Sequence, residues 1–252
     1  MDKQPVFFCV CSQKGGVGKS TFTILLANWL HYALGRDVLV VDCDAPQWSI
    51  VAQRERELDV LERNDRYKLM MVRLFKRTGR KIWPVVRSTP YEGLQAARAY
   101  FAAGDREADF VRLDLPGTVA APGIFRLLAR LDHLFIPLKA DKLVLESALS
   151  FARAVDERLV HNDAHRLTGL HLFWTMVDRR ERTPLYESYG KAFAAFRLPV
   201  LQTQVPYRSR FSKEILDTSG AVGRSTLFPA DRAFAADAAL DALAAEILSL
   251  ME

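Results

Sequence analysis

Apolar residues along this chain alternate between two spacings. Short strand-like runs recur seven times, and several of them are almost continuously apolar, as is typical of strands covered by helices on both faces. They span residues 6–13, 37–44, 83–87, 109–115, 133–138, 170–177 and 199–205. Stretches with helical spacing lie between them, at residues 19–34, 51–62, 66–76, 91–103, 122–131, 143–160, 184–196 and 231–250. This alternation predicts an α/β fold with a doubly wound, mostly parallel sheet and helices on both faces.

The length and composition are those of an ordinary folded protein. The chain has 252 residues, 50% hydrophobic and 26% charged, and no stretch rich in Pro, Gly or Ser divides it. We therefore expect a single domain over residues 1–252. No apolar run approaches the roughly 18 residues that a membrane-spanning helix needs. Because the three cysteines lie inside strand-like runs, as buried free thiols do in a reducing compartment, a cytoplasmic protein is expected.

A glycine-rich loop follows the first strand-like run. The sequence SQKGGVGKST, at residues 12–21, leads directly into an apolar helix pattern. Glycines let backbone N–H groups approach phosphates, and a helix N-terminus attracts negative charge. A lysine at this spacing reaches the β- and γ-phosphates, and the hydroxyl after it ligates Mg²⁺. The predicted phosphate-binding loop comprises Gly15, Gly16, Val17, Gly18, Lys19, Ser20 and Thr21.

This loop departs from the general pattern G-x-x-x-x-G-K-[ST] at two positions. Gln13 occupies the place of a glycine, and Lys14 is an additional lysine. With these features KGGVGKST resembles the deviant Walker A motif of the ParA/MinD group of P-loop ATPases. The resemblance implies a P-loop NTPase fold, ATP and Mg²⁺ as cofactors, and an ATP-dependent homodimer in which Lys14 reaches the partner's ATP. Lys14 and Lys19 are the catalytic lysines that it implies.

Two aspartates end the second strand-like run, in the sequence VVDCDAPQ. Asp42 and Asp44 are two residues apart, so they share a face at the carboxyl edge of the predicted sheet. The resemblance implies that Asp44 orients the attacking water and that Asp42 supports Mg²⁺ or its water shell. Ala45 is an insertion relative to the DxDPQ sequence of the group. Capping of the following helix by these carboxylates is the alternative interpretation.

A third aspartate ends the strand-like run FVRLD. Asp114 precedes a Pro116-Gly117 turn and resembles the Walker B aspartate, which holds Mg²⁺ through a water molecule. The turn itself resembles the loop that senses the γ-phosphate in this group. The metal set implied by the resemblance is Ser20, Asp42 and Asp114.

Residues near the adenine are implied by two later segments. The run LHLFWTMV continues into Asp178, and the sequence VPYRSRF begins at Val205. The resemblance makes Met176, Asp178 and Pro206 candidate contacts to the base. The alternatives are that Met176 is a core residue and that Asp178 only begins a turn.

The resemblance extends in family order from residue 6 to about residue 216. Four stretches, DCDAPQWS, LDLPGTV, HLFWTMVD and STLFPAD, are similar to the ParA-type ATPases of conjugative transposons in Bacteroidetes, the TraA-like branch. This similarity implies a role in conjugative transfer or in maintenance of a mobile element. Residues 231–252 carry five acidic residues against one arginine, so no membrane contact is expected.

Basic residues are unevenly distributed. The formal net charge is +5, and residues 63–87 contain nine basic residues against one acidic. These nine are Arg63, Arg66, Lys68, Arg73, Lys76, Arg77, Arg80, Lys81 and Arg87. A second basic group comprises Arg179, Arg180, Arg182, Arg208, Arg210 and Lys213. Both are candidates for phosphate contacts to DNA without sequence preference, and the alternatives are internal ion pairs or docking of a protein partner.

Together these features predict an ATPase switch. The chain is expected to dimerise on ATP and Mg²⁺, to bind DNA non-specifically and to be reset by slow hydrolysis, with a ParB-like or conjugation-machinery protein as partner. The alternative is a nucleotide-stabilised adaptor that recruits a protein of a transfer complex without DNA binding or significant turnover.

Overall fold

The structure is a computed structural model, and it describes residues 4–104, 107–117, 123–178, 180, 183–215 and 222–252. Its strands are β1 Val6–Val10, β2 Val38–Asp42, β3 Val85–Arg87, β4 Phe110–Asp114, β5 His133–Leu138 and β6 Gly169–Trp174. Its α-helices are α1 Lys19–Asn28, α2 Ser49–Arg63, α3 Asp65–Thr78, α4 Gly93–Ala102, α5 Ile124–Leu128, α6 Lys142–Val155, α7 Leu185–Ala195, α8 Arg232–Asp237 and α9 Leu240–Met251. Helices α1 and α6 each continue into a π-helical turn, at Trp29–Ala33 and Asp156–Val160.

The six strands form one sheet in the order β3-β2-β4-β1-β5-β6. Every neighbouring pair is parallel. Parallel strands require crossover connections, which the intervening helices supply. The predicted doubly wound parallel α/β fold is therefore confirmed.

Alternate residues of each strand face opposite helix layers. Phe8 of β1 packs in the cluster that contains residues of α1, α8 and α9. The opposite face packs against α4, α5, α6 and α7, and all three cysteines are buried there as free thiols. This two-sided burial explains why the strand segments are almost continuously apolar.

A third cluster lies at one end of the molecule. Tyr67 and Leu74 of α3 pack against Ile215, Leu227 and Phe228. The segment that follows residue 222 is thereby held against the α2–α3 pair.

The predicted seventh strand, at residues 199–205, does not form a continuous strand. Its ends hydrogen-bond to the edge of β6, where the Leu201 amide donates to the Leu172 carbonyl at 2.7 Å and the Val205 amide to the Trp174 carbonyl at 2.9 Å. Between these points the amides of Gln202 and Thr203 donate to the Glu246 carboxylate of α9, at 2.7 and 2.9 Å. Glu246 therefore draws this part of the chain away from the sheet.

The predicted C-terminal helix is also interrupted. Helix α8 ends at Asp237, and α9 begins at Leu240. Ala239 between them has a φ of 53°, a left-handed conformation that cannot continue a right-handed helix. No helix in the described ranges is long and apolar enough to cross a membrane.

The sheet order brings the predicted site segments to one edge. Asp42 at the end of β2 is in register with Asp114 at the end of β4, and Val10 of β1 is in register with Asp114 on its other side. The loop after β1 and the two aspartates therefore meet at the carboxyl edge of three adjacent strands.

Candidate nucleotide site

The loop after β1 has backbone angles that its glycines make possible. Gly16 has a φ of +75° and Gly18 a φ of +92°, both in the left-handed region. A Cβ on Gly18 would also lie 3.0 Å from the Phe22 ring. Gly18 precedes the first residue of α1, so the loop ends at a helix N-terminus whose first amides have no partner within the helix.

Lys19 places its ammonium inside this loop. Its Nζ donates to the Lys14 carbonyl at 3.1 Å. A Cβ built on Gly117 would lie 3.6 Å from the same Nζ, so the Pro116-Gly117 turn lies beside the lysine. The two segments that the sequence assigned to the γ-phosphate are thus adjacent.

Asp114 connects the end of β4 to the first two turns of α1. Its Oδ2 accepts from the Ser20 hydroxyl at 2.7 Å, and its Oδ1 accepts from the Thr23 hydroxyl at 2.8 Å. Burial raises the pKa of Asp114 to about 6, against the lowering effect of these hydrogen bonds. A carboxylate and a hydroxyl in contact are the hard oxygen donors that Mg²⁺ prefers, so Ser20 and Asp114 fit the predicted metal site.

Asp42 has a different set of partners. Its carboxylate accepts from the amides of Asp44, Ile50 and Val51, at 3.2, 3.0 and 3.1 Å. Two of these amides belong to the first turn of α2, as the capping interpretation expects. Burial raises the pKa of Asp42, and the backbone hydrogen bonds oppose this effect. Support of Mg²⁺ by Asp42 stays a prediction.

Asp44 lies in a tight turn between β2 and α2. Its carbonyl accepts from the amides of Gln47 and Trp48, both at 2.8 Å, and the Ala45–Pro46 peptide is cis. Partial burial raises the pKa of the Asp44 carboxyl, while the charge of Lys19 acts in the opposite direction. The Asp44 carboxylate therefore interacts electrostatically with the lysine of the phosphate loop despite the inserted Ala45. That Asp44 orients the attacking water stays a prediction.

Lys14 is exposed at the start of the loop, whereas the neighbouring Gln13 side chain is fixed. The Gln13 Oε1 accepts from the Ser147 hydroxyl of α6 at 2.8 Å, which ties the loop to that helix. The exposed position of Lys14 suits a residue that acts on a partner subunit. That role stays a prediction.

The predicted base contacts lie at two paired loops. Val177 and Pro206 form a parallel bridge, and Asp178 and Pro206 line one cavity of about 390 Å³. Arg180 holds the Asp178 carboxylate with its Nε and Nη2, at 3.0 and 2.9 Å, and these hydrogen bonds lower the pKa of Asp178 to about 2. Met176, with a φ of 56°, is not among the described residues that line this cavity.

The two basic groups differ in their ion pairing. In the second group Arg180, Arg208 and Arg210 each pair with an aspartate, and Arg179 and Arg182 lie outside the described residues. In the first group Lys68, Arg80 and Arg87 are ion-paired. The exposed cations of α3 that make no ion pair within the described ranges are Arg66, Arg73, Lys76 and Arg77.

Two contacts of the site were missed at the sequence level. Thr23 lies three residues after Ser20, so their shared helix face was a signal that could have assigned it to Asp114. Arg224 donates from Nη1 to the Thr21 hydroxyl at 3.3 Å. No local pattern connects these two residues, which lie at opposite ends of the chain.

Comparison with known proteins places this geometry in a family. Residues 8–221 match the family model of the CobQ/CobB/MinD/ParA nucleotide binding domain. The chromosome-partitioning ATPase Soj of Thermus thermophilus is 27% identical over 220 residues, which cover 73% of this chain and 86% of Soj.

Solved structures share the fold at lower identity. Cobyrinic acid a,c-diamide synthase from Mycobacterium smegmatis, with a bound ATP analogue and magnesium, has a TM-score of 0.53 at 21% identity and covers 87% of this chain and 89% of its own. The pNOB8 ParA bound to nonspecific DNA has a TM-score of 0.51 at 19% identity and covers 79% of each chain. The phosphate loop on β1, the Asp114–Ser20 pair and the family match together establish that this chain belongs to the CobQ/CobB/MinD/ParA nucleotide-binding family and is a P-loop ATPase of the ParA/MinD type.

Proposed function

We propose that this chain is a ParA-type switch that dimerises on ATP and Mg²⁺, binds DNA without sequence preference and returns to its resting state by slow hydrolysis. The observation that carries the proposal is the phosphate loop itself, where Lys19 and the Asp114–Ser20 pair are assembled and Lys14 remains exposed. The cargo is a mobile element, whose partition, maintenance or conjugative transfer the switch serves.

In the proposed reaction each residue of the site has a distinct role. Loop amides and Lys19 bind the phosphates, and Ser20 with Asp114 would hold Mg²⁺, which would neutralise phosphate charge. Asp44 orients the attacking water, and Lys14 of the opposite subunit supplies positive charge as the bond to the leaving group breaks. Hydrolysis of this kind depends on positioning and electrostatics, which explains why no nucleophilic side chain is required.

DNA binding is supported by the charge on α3. Four exposed cations, Arg66, Arg73, Lys76 and Arg77, have no ion-pair partner in the described ranges, so they are available to phosphates. The relative Soj is named a chromosome-partitioning ATPase, and the pNOB8 ParA of similar fold was solved bound to nonspecific DNA. Phosphate contacts of this type release counterions, and affinity should fall with salt at a log–log slope of about −0.9 per contact.

A gel-shift experiment with a random-sequence duplex tests this proposal. Binding should require ATP, be absent with ADP, and weaken steeply between two salt concentrations. The double variant Arg73→Gln/Arg77→Gln should reduce the slope by about 2 because two phosphate contacts are lost.

The matched control removes the same charge elsewhere. Lys142→Gln/Lys191→Gln also loses two positive charges, but these lysines lie near Glu146 and Glu187 on other helices. Its binding should equal that of the unmodified chain. Absence of DNA binding in both nucleotide states, with ATP binding measured separately, contradicts the DNA hypothesis.

A second candidate function is favoured by one observation. Leu69, Val72 and Phe75 lie on the exposed side of α3 and are 49%, 49% and 48% exposed. Phosphate contacts make no use of apolar side chains, whereas a protein partner would cover them. A nucleotide-stabilised adaptor that recruits a protein of a transfer complex is therefore the alternative.

Phosphate release measured with and without DNA separates these two functions. A switch hydrolyses ATP slowly and responds to DNA. An adaptor binds ATP with no significant turnover in either condition.

A further inference from the structure

Arg224 brings a positive charge to the first turn of α1. Its Nη1 donates to the Thr21 hydroxyl at 3.3 Å, and Thr21 directly follows Ser20 at the end of the phosphate loop. The contact joins residues 203 positions apart in sequence. The family match ends at residue 221, so Arg224 lies just beyond the matched segment.

The backbone around Arg224 is firmly anchored. The Arg224 amide donates to the Lys213 carbonyl at 2.9 Å, and a Cβ on the preceding Gly223 would overlap the Arg210 carbonyl oxygen. On the other side, the Thr226 amide and hydroxyl both donate to the buried Glu57 carboxylate at 2.7 Å. These contacts fix the main chain at residue 224 relative to α2 and to the segment around residue 213.

A carboxylate orients the guanidinium itself. Glu214 accepts from the Arg224 Nη2 at 2.7 Å, and the two side chains are only 23% and 21% exposed. Glu214 also pairs with Arg56 at 3.0 Å, so one carboxylate faces two guanidinium groups. The pair of arginines carries one more positive charge than Glu214 neutralises.

One nitrogen of the guanidinium group makes no hydrogen bond within the described residues. The Arg224 Nε is buried and has no hydrogen-bond partner within the described residues. The first amides of α1 likewise point out of the helix without intrahelical partners. A fixed cation beside a helix N-terminus and a phosphate loop is an arrangement that binds anions.

We propose that Arg224 is a further nucleotide-binding residue, which adds a second positive charge to that of Lys19 and thereby strengthens the hold on the nucleotide phosphates. The proposal rests on nucleotide binding at the phosphate loop. Arg56 shares Glu214 but has no described contact with the loop, so it supplies a matched comparison.

Calorimetric titration of the full chain with ADP and Mg²⁺ tests the proposal without requiring turnover. Arg224→Gln should weaken ADP binding about 10-fold, the scale of one charge-assisted hydrogen bond. Arg224→Lys should recover most of the affinity because the charge is retained. Arg56→Gln should stay within about twofold of the unmodified chain, and the effect of Arg224→Gln should shrink at high salt.

Three outcomes overturn the proposal. They are unchanged ADP affinity in Arg224→Gln, equal weakening in Arg56→Gln, and a loss that salt does not alter. If Arg224→Gln fails to fold, Arg224→Lys and its melting temperature decide. Lysine keeps the charge but cannot contact Thr21 and Glu214 at the same time as the guanidinium does, so a loss of about threefold in ADP affinity at an unchanged melting temperature supports direct binding. An affinity equal to that of the unmodified chain overturns it. Absence of ADP binding in the unmodified chain would instead contradict the nucleotide site itself.

Discussion

Asp114 is a buried carboxylate whose described hydrogen-bond donors are hydroxyls. Ser20 and Thr23 hold its two oxygens, and neither carries a charge. Arg112, two residues earlier on the same face of β4, is fully buried above the Phe8 ring, and none of its side-chain nitrogens has a hydrogen-bond partner within the described ranges. Burial therefore disfavours the ionised form of Asp114, and the two hydroxyl hydrogen bonds and the charge of Arg112 offset this cost only in part.

This cost predicts a pH-dependent effect of Asp114→Asn. The native carboxyl group keeps its proton up to about pH 6, whereas in the unfolded chain it ionises near 3.8. The native state thus binds more protons between these values, and the free energy of unfolding falls as pH rises through them. Asparagine does not titrate, so the variant should be about 2–3 kcal/mol more stable than the unmodified chain above about pH 7.

Urea unfolding in magnesium-free buffer measures this difference. The difference in free energy of unfolding should shrink toward zero as pH falls to about 4, where the side chain of residue 114 is neutral in both proteins. Asp163→Asn changes an exposed loop carboxylate and should show no such trend. The stabilised Asp114→Asn chain should also lose the magnesium dependence of nucleotide binding. Equal stability of the variant and the unmodified chain above about pH 7 would contradict the effect of burial on Asp114.

At the scale of elements, the segment that borders the outer edge of β6 is held by a side chain from α9. Glu246 accepts the amides of Gln202 and Thr203 at the point where residues 199–205 leave the sheet. The carboxylate takes the place of the strand that would otherwise pair there. Helix α9 is therefore attached to the sheet edge by a polar contact as well as by its apolar face.

We expect Glu246→Ala to lower the free energy of unfolding by about 1 kcal/mol. Two hydrogen bonds to a charged acceptor are lost, and partial exposure of the amides lets water replace part of them. Chemical denaturation gives the value. Glu187→Ala, which removes an exposed i,i+4 partner of Lys191, should stay within about 0.5 kcal/mol, and an equal loss in both variants would contradict the anchoring role of Glu246.

Elements were predictable where burial alone decides the pattern. Five of the six strands are buried at nearly every position, and the three-residue edge strand β3 is half-buried. The runs of all six were found with ends displaced by a few residues. The segment at residues 199–205 was also predicted as a strand, but its amides at Gln202 and Thr203 bond to Glu246, far away in sequence. The break at Ala239 is a backbone conformation that no apolar spacing encodes.

The residues of the site were predictable where a single short motif contains them. Lys19, Ser20 and Asp114 follow from one loop and one strand end. The sequence DCD presents two similar carboxylates, and the structure distinguishes them because Asp42 meets the amides of α2 whereas Asp44 is influenced by Lys19. Arg224 could not be predicted, because its contact with Thr21 depends on the packing of the segment after residue 222.

At the scale of the whole molecule, the two lysines of the phosphate loop differ in position, and the proposed function assigns Lys19 to its own subunit and Lys14 to the dimer. Lys19 points into its own loop, and Lys14 is exposed at the surface. Lys19→Ala should abolish nucleotide binding in a single subunit. Lys14→Ala should keep nucleotide binding and lose turnover that depends on the dimer, because its charge acts across the interface.

Nucleotide titration and phosphate release at several protein concentrations check this separation. Turnover per subunit should rise with concentration in the unmodified chain and stay flat in Lys14→Ala. A Lys14→Ala protein that hydrolyses ATP at the rate of the unmodified chain would show that the additional lysine has no part in the reaction.

The three buried thiols give the chain a chemical property of its own. Cys9, Cys11 and Cys43 lie inside the sheet layers, and burial raises the pKa of Cys9 and Cys43 well above that of a free thiol. Thiol-reactive reagents need an accessible thiolate, so they should modify the native protein only when the sheet opens. The rate at which these cysteines are alkylated would therefore report how often the fold opens. A cysteine introduced at an exposed position could be labelled selectively with a fluorophore.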